Sequence, residues 1–172
     1  MIQRIQTLWL ALAVLCMVLC FTLPLASYSL ITVDGTEHTA RFGLVQDSSE
    51  ELQQITDNPM PMHRMATWPL IALAMGTMLV SLVAIFFYHN RVLQMRVVAM
   101  ALLLCMAYIA LVFIWAVDAY GKLATDYLKS MPAQTTWMAG SFVPLAALVL
   151  LVLAQRSIKR DENKVRAADR LR

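Results

Sequence analysis

The sequence predicts an all-α integral membrane fold: a four-helix antiparallel transmembrane bundle with an extracytoplasmic loop bearing a β-hairpin. The first observation behind this is the placing of charge. Four stretches, from Arg4 to Asp34, Arg64 to His89, Arg96 to Asp118 and Lys129 to Arg156, hold no ionisable side chain other than tyrosine and cysteine. Each holds at least 20 residues, enough to cross a hydrocarbon core of about 30 Å at about 1.5 Å of helix rise per residue. The second is composition. A chain of 172 residues that is 60% hydrophobic, with a mean hydropathy of +0.64, is too apolar for a soluble domain of its size and has no room for a second domain. The third is the dipeptide Asp34-Gly35, a strong hairpin signal between two runs that suit strands.

The first span takes residues 5–26. Arg4 ahead of the apolar run Leu8 to Leu23 resembles a secretory signal, but Pro24 stands where a small residue should precede cleavage, and the uncharged stretch runs on to Val33. The run is therefore read as a retained span. Leucine before both Cys16 and Cys20 argues against a lipoprotein signal. In the first external loop, 27–64, Tyr28 to Val33 and Thr36 to Val45 form the hairpin. Two strands alone are marginal, so the hairpin is expected to pack on the membrane helices or on the second external loop. Ser48 with Glu51 reads as a capping box opening a short helix through Ile55, ended by Pro59 and Pro61.

The second and third spans, 66–88 and 97–117, are joined by a short turn and so run antiparallel. The second external loop, 118–130, has no strand signal, and Tyr120, Leu123, Tyr127 and Leu128 suit a helix extending out of the third span. The fourth span covers 136–155. The tail, 156–172, is expected to continue it as a helix, with Glu162 and Arg166 forming an i,i+4 pair.

Charge also orients the chain. Arg4, the turn from His89 to Arg96 and the tail together carry ten of the 14 basic residues and three of the 11 acidic ones, a net +7 against −4 on the other side. The positive-inside rule then places both termini in the cytoplasm. Indole rings settle at headgroup level, and Trp68, Trp115 and Trp137 fall at outer span ends while Trp9 marks the inner one. The chain's net +3 is thus topological, and no nucleic acid partner is expected.

Small residues spaced for close helix approach are Ala72 and Gly76, Ala101 and Cys105, and Gly140 and Pro144. Pro144 is expected to kink the fourth span. Chemistry is harder to find. His38, His63 and His89 are the only histidines, and no Ser-His-Asp or Cys-His arrangement follows from spacing. Asp47, Glu50, Glu51 and Asp57 read as a solvated acidic loop, and Asp118 as a hydrated residue beside a span. Cys16 and Cys20 lie one helical turn apart, but no third metal ligand is evident beside them. Met60, Met62, His63 and Met65 have the donor types that suit Cu(I), although methionine in so apolar a chain is more often a gap filler. No catalytic residue, enzyme activity or cofactor is expected.

The most distinctive polar element is the tail, with Arg156, Lys159, Arg160, Lys164, Arg166, Arg170 and Arg172. Its partners are expected to be the lipid bilayer and its anionic headgroups, or a cytoplasmic protein. The opening Met1-Ile2-Gln3-Arg4-Ile5-Gln6-Thr7 and the closing Ile158-Lys159-Arg160-Asp161-Glu162, Val165-Arg166 and Ala168-Asp169-Arg170-Leu171-Arg172 resemble those of the domain of unknown function 4293 family, small membrane proteins found chiefly in Bacteroidota. The resemblance covers the whole chain and implies a bacterial inner-membrane location and an uncut N-terminus. It carries no activity to transfer. The role expected is a non-enzymatic accessory or scaffold subunit, with a small transporter, a channel or a copper-handling protein as alternatives.

Overall fold

The computed structural model describes residues 3–31, 37–45, 63–128 and 134–169. Its elements are α1 (Gln3–Thr22), β1 (Ala26–Ile31), β2 (Glu37–Phe42), α2 (His63–Phe86), α3 (Arg91–Leu111), α4 (Val117–Leu128), β3 (Gln134–Trp137) and α5 (Ala139–Asp169). A 3₁₀ turn, Phe87–His89, closes α2, and a π-helical turn, Val112–Ala116, joins α3 to α4. The turn at Asp34-Gly35, the Ser48–Glu51 capping box, the acidic residues 47–57, Pro59 to Met62, and Arg170 and Arg172 lie outside the described residues.

Among the described residues, four helical segments are long and apolar enough to cross a membrane: Ile5–Thr22, Thr67–Phe86, Arg91–Lys122 and Ala139–Lys164. Only 28–33% of their most apolar windows is buried, so most of this surface faces outward, with Leu103 at 68% and Ile114 at 77% exposed. Water would not tolerate such a surface on a folded chain, and hydrocarbon would.

The helices form a ring in which α1 packs on α2 and α5, and α3 packs on α2 and α5. The buried positions explain why. On α1 they are Gln6, Leu10, Ala13, Met17 and Cys20; on α2, Leu70, Ala74, Thr77, Ser81 and Ala84; on α3, Gln94, Val98, Ala101, Cys105, Tyr108 and Val112. On α5 they are Ala147, Leu151, Ala154, Ile158 and Asp161, continuing back through buried Pro144 and Gly140. All four helices advance by alternating steps of three and four, which keeps one narrow stripe turned inward along the whole length. Alanine recurs in each stripe and lets neighbouring backbones come close. The two hydroxyls of the α2 stripe are turned back on their own helix: Thr77 Oγ1 donates to Leu73 O at 2.8 Å and Ser81 Oγ to Thr77 O at 2.7 Å.

At one end of the ring lies a three-stranded sheet in the order β2-β1-β3. β1 pairs antiparallel with β2, from Ala26 opposite Phe42 to Ile31 opposite Glu37, and with β3, from Ala26 opposite Trp137 to Ser29 opposite Gln134. β1 is Ala26–Ile31, beginning two residues before the expected Tyr28 to Val33, and β2 is Glu37–Phe42, inside the expected Thr36 to Val45. The third strand is a correction: Thr136 was expected to open the fourth span, but Gln134–Trp137 pairs with β1 and α5 begins at Ala139. The first span also stops earlier than residue 26. Pro24 cannot continue a helix, and Leu25 and Ala26 turn into the sheet. Beyond the third span the helix continues through the π turn as far as Leu128, and the tail continues α5 to Asp169, as the sequence suggests.

One turn holds sheet and helices together. The C=O of Pro24 accepts the N–H of Gly140 at 3.1 Å, and the C=O of Leu25 accepts both the N–H of Met138 at 3.0 Å and the hydroxyl of Ser141 at 2.6 Å. The end of α1 thus supplies acceptors for N–H groups that the start of α5 would otherwise leave unpaired. Ser141→Ala removes one buried hydrogen bond and is expected to cost about 1 kcal/mol, read as a lowered unfolding temperature of the detergent-solubilised protein.

The sheet rests on α4. Ala26, Tyr28 and Phe42 are buried while Ser27, Ser29 and Arg41 lie further out, the period of two expected of a sheet covered on one face. Tyr120 meets Phe42 at 4.6 Å and Tyr28 at 5.4 Å between ring centroids. The Tyr28 hydroxyl donates to Val117 O at 2.7 Å, one residue beyond the π turn, where the N–H of Val117 reaches back five residues to Val112 O. Burial, with Tyr120 and Asp118 nearby, pushes the Tyr28 hydroxyl above its ordinary pKa, so it stays a neutral donor.

Candidate functional site

The end of the ring opposite the sheet gathers the polar residues. Gln94, on the inner stripe of α3, donates from Nε2 to Ala84 O at 3.1 Å and satisfies a carbonyl that the end of α2 leaves free. Arg91 Nη1 approaches Asp161 O at 3.4 Å, tying the turn between α2 and α3 to α5. Gln6 Nε2 donates to Asp161 Oδ2. The start of α1, the α2–α3 turn and the far part of α5 therefore meet at one end.

Asp161 is the unusual member. It is only 8% exposed, its Oδ2 is held by a neutral amide, and its Oδ1 is buried with no hydrogen-bond partner among the described residues. Buried carboxylates are normally paired or fully hydrogen-bonded. Cations stand close in sequence, yet Arg156, Lys159, Arg160 and Lys164 are exposed and form no ion pair with it among the described residues. Beside Asp161 a groove of about 580 Å³ runs between α1 and α5, lined by Ile5, Trp9 and Leu153 on its apolar part and by Arg156, Ser157, Arg160, Asp161 and Lys164 on its polar part. A second, shallower hollow of about 460 Å³ adjoins it around Lys159, Asn163 and Ala167.

The other residues singled out from the sequence are dispersed. Ala101 and Cys105 lie on the inner stripe of α3, and Cys105 Sγ approaches Pro144 O at 3.6 Å. Gly140 sits directly against the backbone of Leu23 and Pro24. Ala72 faces outward, and a Cβ on Gly76 would meet only Leu104 at 3.7 Å. Trp68 and Trp115 are exposed, and Trp137 stacks on Phe113 at 4.9 Å, all three at the sheet end, while Trp9 lines the groove at the other. Cys16, Cys20 and Cys105 are free thiols. Of the Cu(I) candidates, Met60 and Met62 are outside the described residues, as are the side chains of His63 and Met65; the same holds for the side chain of Arg166. Among the described residues no group of three or more His, Cys, Asp or Glu side chains is placed to hold a metal.

Sequence reading treated Asp161 as one more tail charge and did not single out Gln6. The signal that places them was present. Gln6 stands four residues before Leu10, and Asp161 three after Ile158, so both fall in register with the three-and-four spacing of the inner stripes.

None of the curated proteins compared with the chain matches it. The profile of the domain of unknown function DUF4293 matches residues 2–171, nearly the full length. It takes in both the Gln6 end and the Asp161 end, and the chain belongs to this family.

Proposed function

We propose that the protein is a non-enzymatic accessory or scaffold subunit of the bacterial inner membrane, crossing it four times with both termini in the cytoplasm and docking a cytoplasmic partner on the end of α5. One observation carries this reading. α5 stays helical to Asp169, two turns beyond Asp161, where its contact with Gln6 fixes it against α1. A helix held that way projects past the ring at a set position, with Asn163, Lys164 and Ala167 exposed. Orientation rests on charge: the end where α1 starts, α2 turns into α3 and α5 leaves the ring carries ten of the 14 basic residues. The sheet would then face the other side and present a second surface.

The test is a gentle-detergent affinity purification from the native membrane. Full-length protein is compared with a chain truncated after Lys164, which keeps Ile158, Asp161 and the groove intact. A stoichiometric protein partner present with the full chain and lost on truncation is the expected result. Recovery of the same partners, or none, in both forms overturns the docking role.

A further inference from the structure

We propose that the groove between α1 and α5 is a site for one anionic phospholipid whose headgroup carries free hydroxyls, such as phosphatidylglycerol. The inference requires α1 and α5 to cross a bilayer; it does not require a protein partner on α5. Three features of the groove lead to it.

The first is its division of chemistry. Ile5, Trp9 and Leu153 form an apolar part within the segments able to cross a membrane, and Arg156, Arg160 and Lys164 stand at the polar part, spaced four residues apart on one face of α5. A cavity apolar along one stretch and cationic along the next fits an amphiphile with an acyl chain and a phosphate. A soluble anion would leave the apolar wall uncovered. Basic pockets between helices at this depth are suited to lipid headgroups.

The second is that, among the described residues, the cations are not used by the fold. Arg156, Arg160 and Lys164 make no ion pair or hydrogen bond among the described residues, although a buried carboxylate with an unpartnered oxygen lies on the same helix. Were these cations present to neutralise Asp161, the carboxylate would be held by one of them and not by Gln6. Their charge is free for an external anion, and guanidinium groups can bind phosphate oxygens through two parallel hydrogen bonds.

The third selects among headgroups. Asp161 lines the groove, and its Oδ1 has no donor among the described residues. A phosphodiester headgroup without hydroxyls offers no donor and would be repelled by the carboxylate. An ammonium headgroup would supply one, but among three cations. Hydroxyls on the headgroup can donate to Oδ1 while the phosphate faces the arginines, so the buried oxygen and the exposed cations each gain a partner.

The test uses the full-length protein in mild detergent and counts bound lipid by native mass spectrometry during titration with short-chain phosphatidylglycerol, phosphatidylmethanol or phosphatidylcholine. Phosphatidylmethanol has the same charge as phosphatidylglycerol and no headgroup hydroxyl. One phosphatidylglycerol is expected to bind at least tenfold more tightly than phosphatidylcholine and several-fold more tightly than phosphatidylmethanol. Arg156→Gln with Arg160→Gln and Lys164→Gln should weaken it about tenfold or more, whereas Arg96→Gln with Lys122→Gln, exposed cations away from the groove, should not. Asp161→Asn should remove the preference over phosphatidylmethanol. Should that variant fail to fold, the wild-type comparison of the two anionic lipids decides the point alone. Equal binding of all three lipids overturns the site, and so does insensitivity to the triple substitution. Displacement of the lipid by millimolar inorganic phosphate would overturn the lipid as occupant in favour of a soluble anion.

Discussion

Gly140→Ala is expected to be among the most damaging single changes the chain can suffer, despite adding one methyl group. A Cβ on Gly140 would sit 2.4 Å from Pro24 O, 2.8 Å from Leu23 O and 2.8 Å from Pro24 C. These are backbone atoms and cannot swing aside like the end of a side chain. Nor can the helix withdraw freely, because the same few residues carry the hydrogen bonds from Gly140 N–H to Pro24 O and from Ser141 Oγ to Leu25 O. Overpacking in a filled interior costs about 1–3 kcal/mol, and a clash between two backbones belongs at or above the top of that range. The substitution should lower the unfolding temperature sharply or prevent the protein accumulating in the membrane.

The other two described helical glycines calibrate the claim. A Cβ at Gly121 meets Cε1 of Tyr28 at 3.0 Å, a ring edge that can yield by a few tenths of an ångström, so Gly121→Ala should cost less. At Gly76 the nearest atom is Leu104 Cδ1 at 3.7 Å, an ordinary contact, and alanine's better helix propensity should leave Gly76→Ala neutral or mildly stabilising. Thermal unfolding of the three variants in one detergent should rank them in that order. If Gly76→Ala and Gly140→Ala unfold together, the close approach of α5 to the Pro24 turn does not hold the ring.

Gly140 also shows where sequence reading reaches its limit. A glycine four residues before a proline suggests helix-to-helix packing, and the residue does serve close approach. Its partner, however, is a turn more than 100 positions away in the chain, as the 116-residue separation of the Ser141–Leu25 bond illustrates. No local pattern names that partner. The spans, by contrast, were legible because water and hydrocarbon sort charge along the whole length, a signal carried by composition and not by contacts. The hairpin was legible because its turn chemistry and β-branched runs are local. β3 was not, since Gln134–Trp137 is four exposed residues leading directly into an apolar helix, with no alternation to separate strand from span. The groove lies between these cases. Its cations were plain in the tail, but the hydrogen-bond partner of buried Asp161 is Gln6, 155 residues earlier.

Tyr28→Ala should detach the sheet from the helices without dissolving the ring. Tyr28 is 1% exposed, its ring lies against Tyr120 and along Gly121, and its hydroxyl holds Val117 O just after the π turn. Removing a buried aromatic side chain of this size costs about 3–5 kcal/mol. That exceeds what three short strands retain once their apolar face has lost its cover. Tyr28→Phe keeps the ring and removes only the hydrogen bond, so about 1 kcal/mol is expected. Hydrogen exchange read by mass spectrometry separates the two effects. In Tyr28→Ala, amides of β1, β3 and the first turns of α4 should exchange faster, while the inner-stripe segments around Leu10 on α1 and Val98 on α3 keep their protection. Tyr28→Phe should show a smaller change confined to the same segments. The ring is held by its own three-and-four stripes, from Leu10 to Cys20 and from Gln94 to Val112, which do not include the sheet. Loss of protection spread evenly over all helices would mean instead that sheet and ring unfold as one unit, with Tyr28 as part of a shared core.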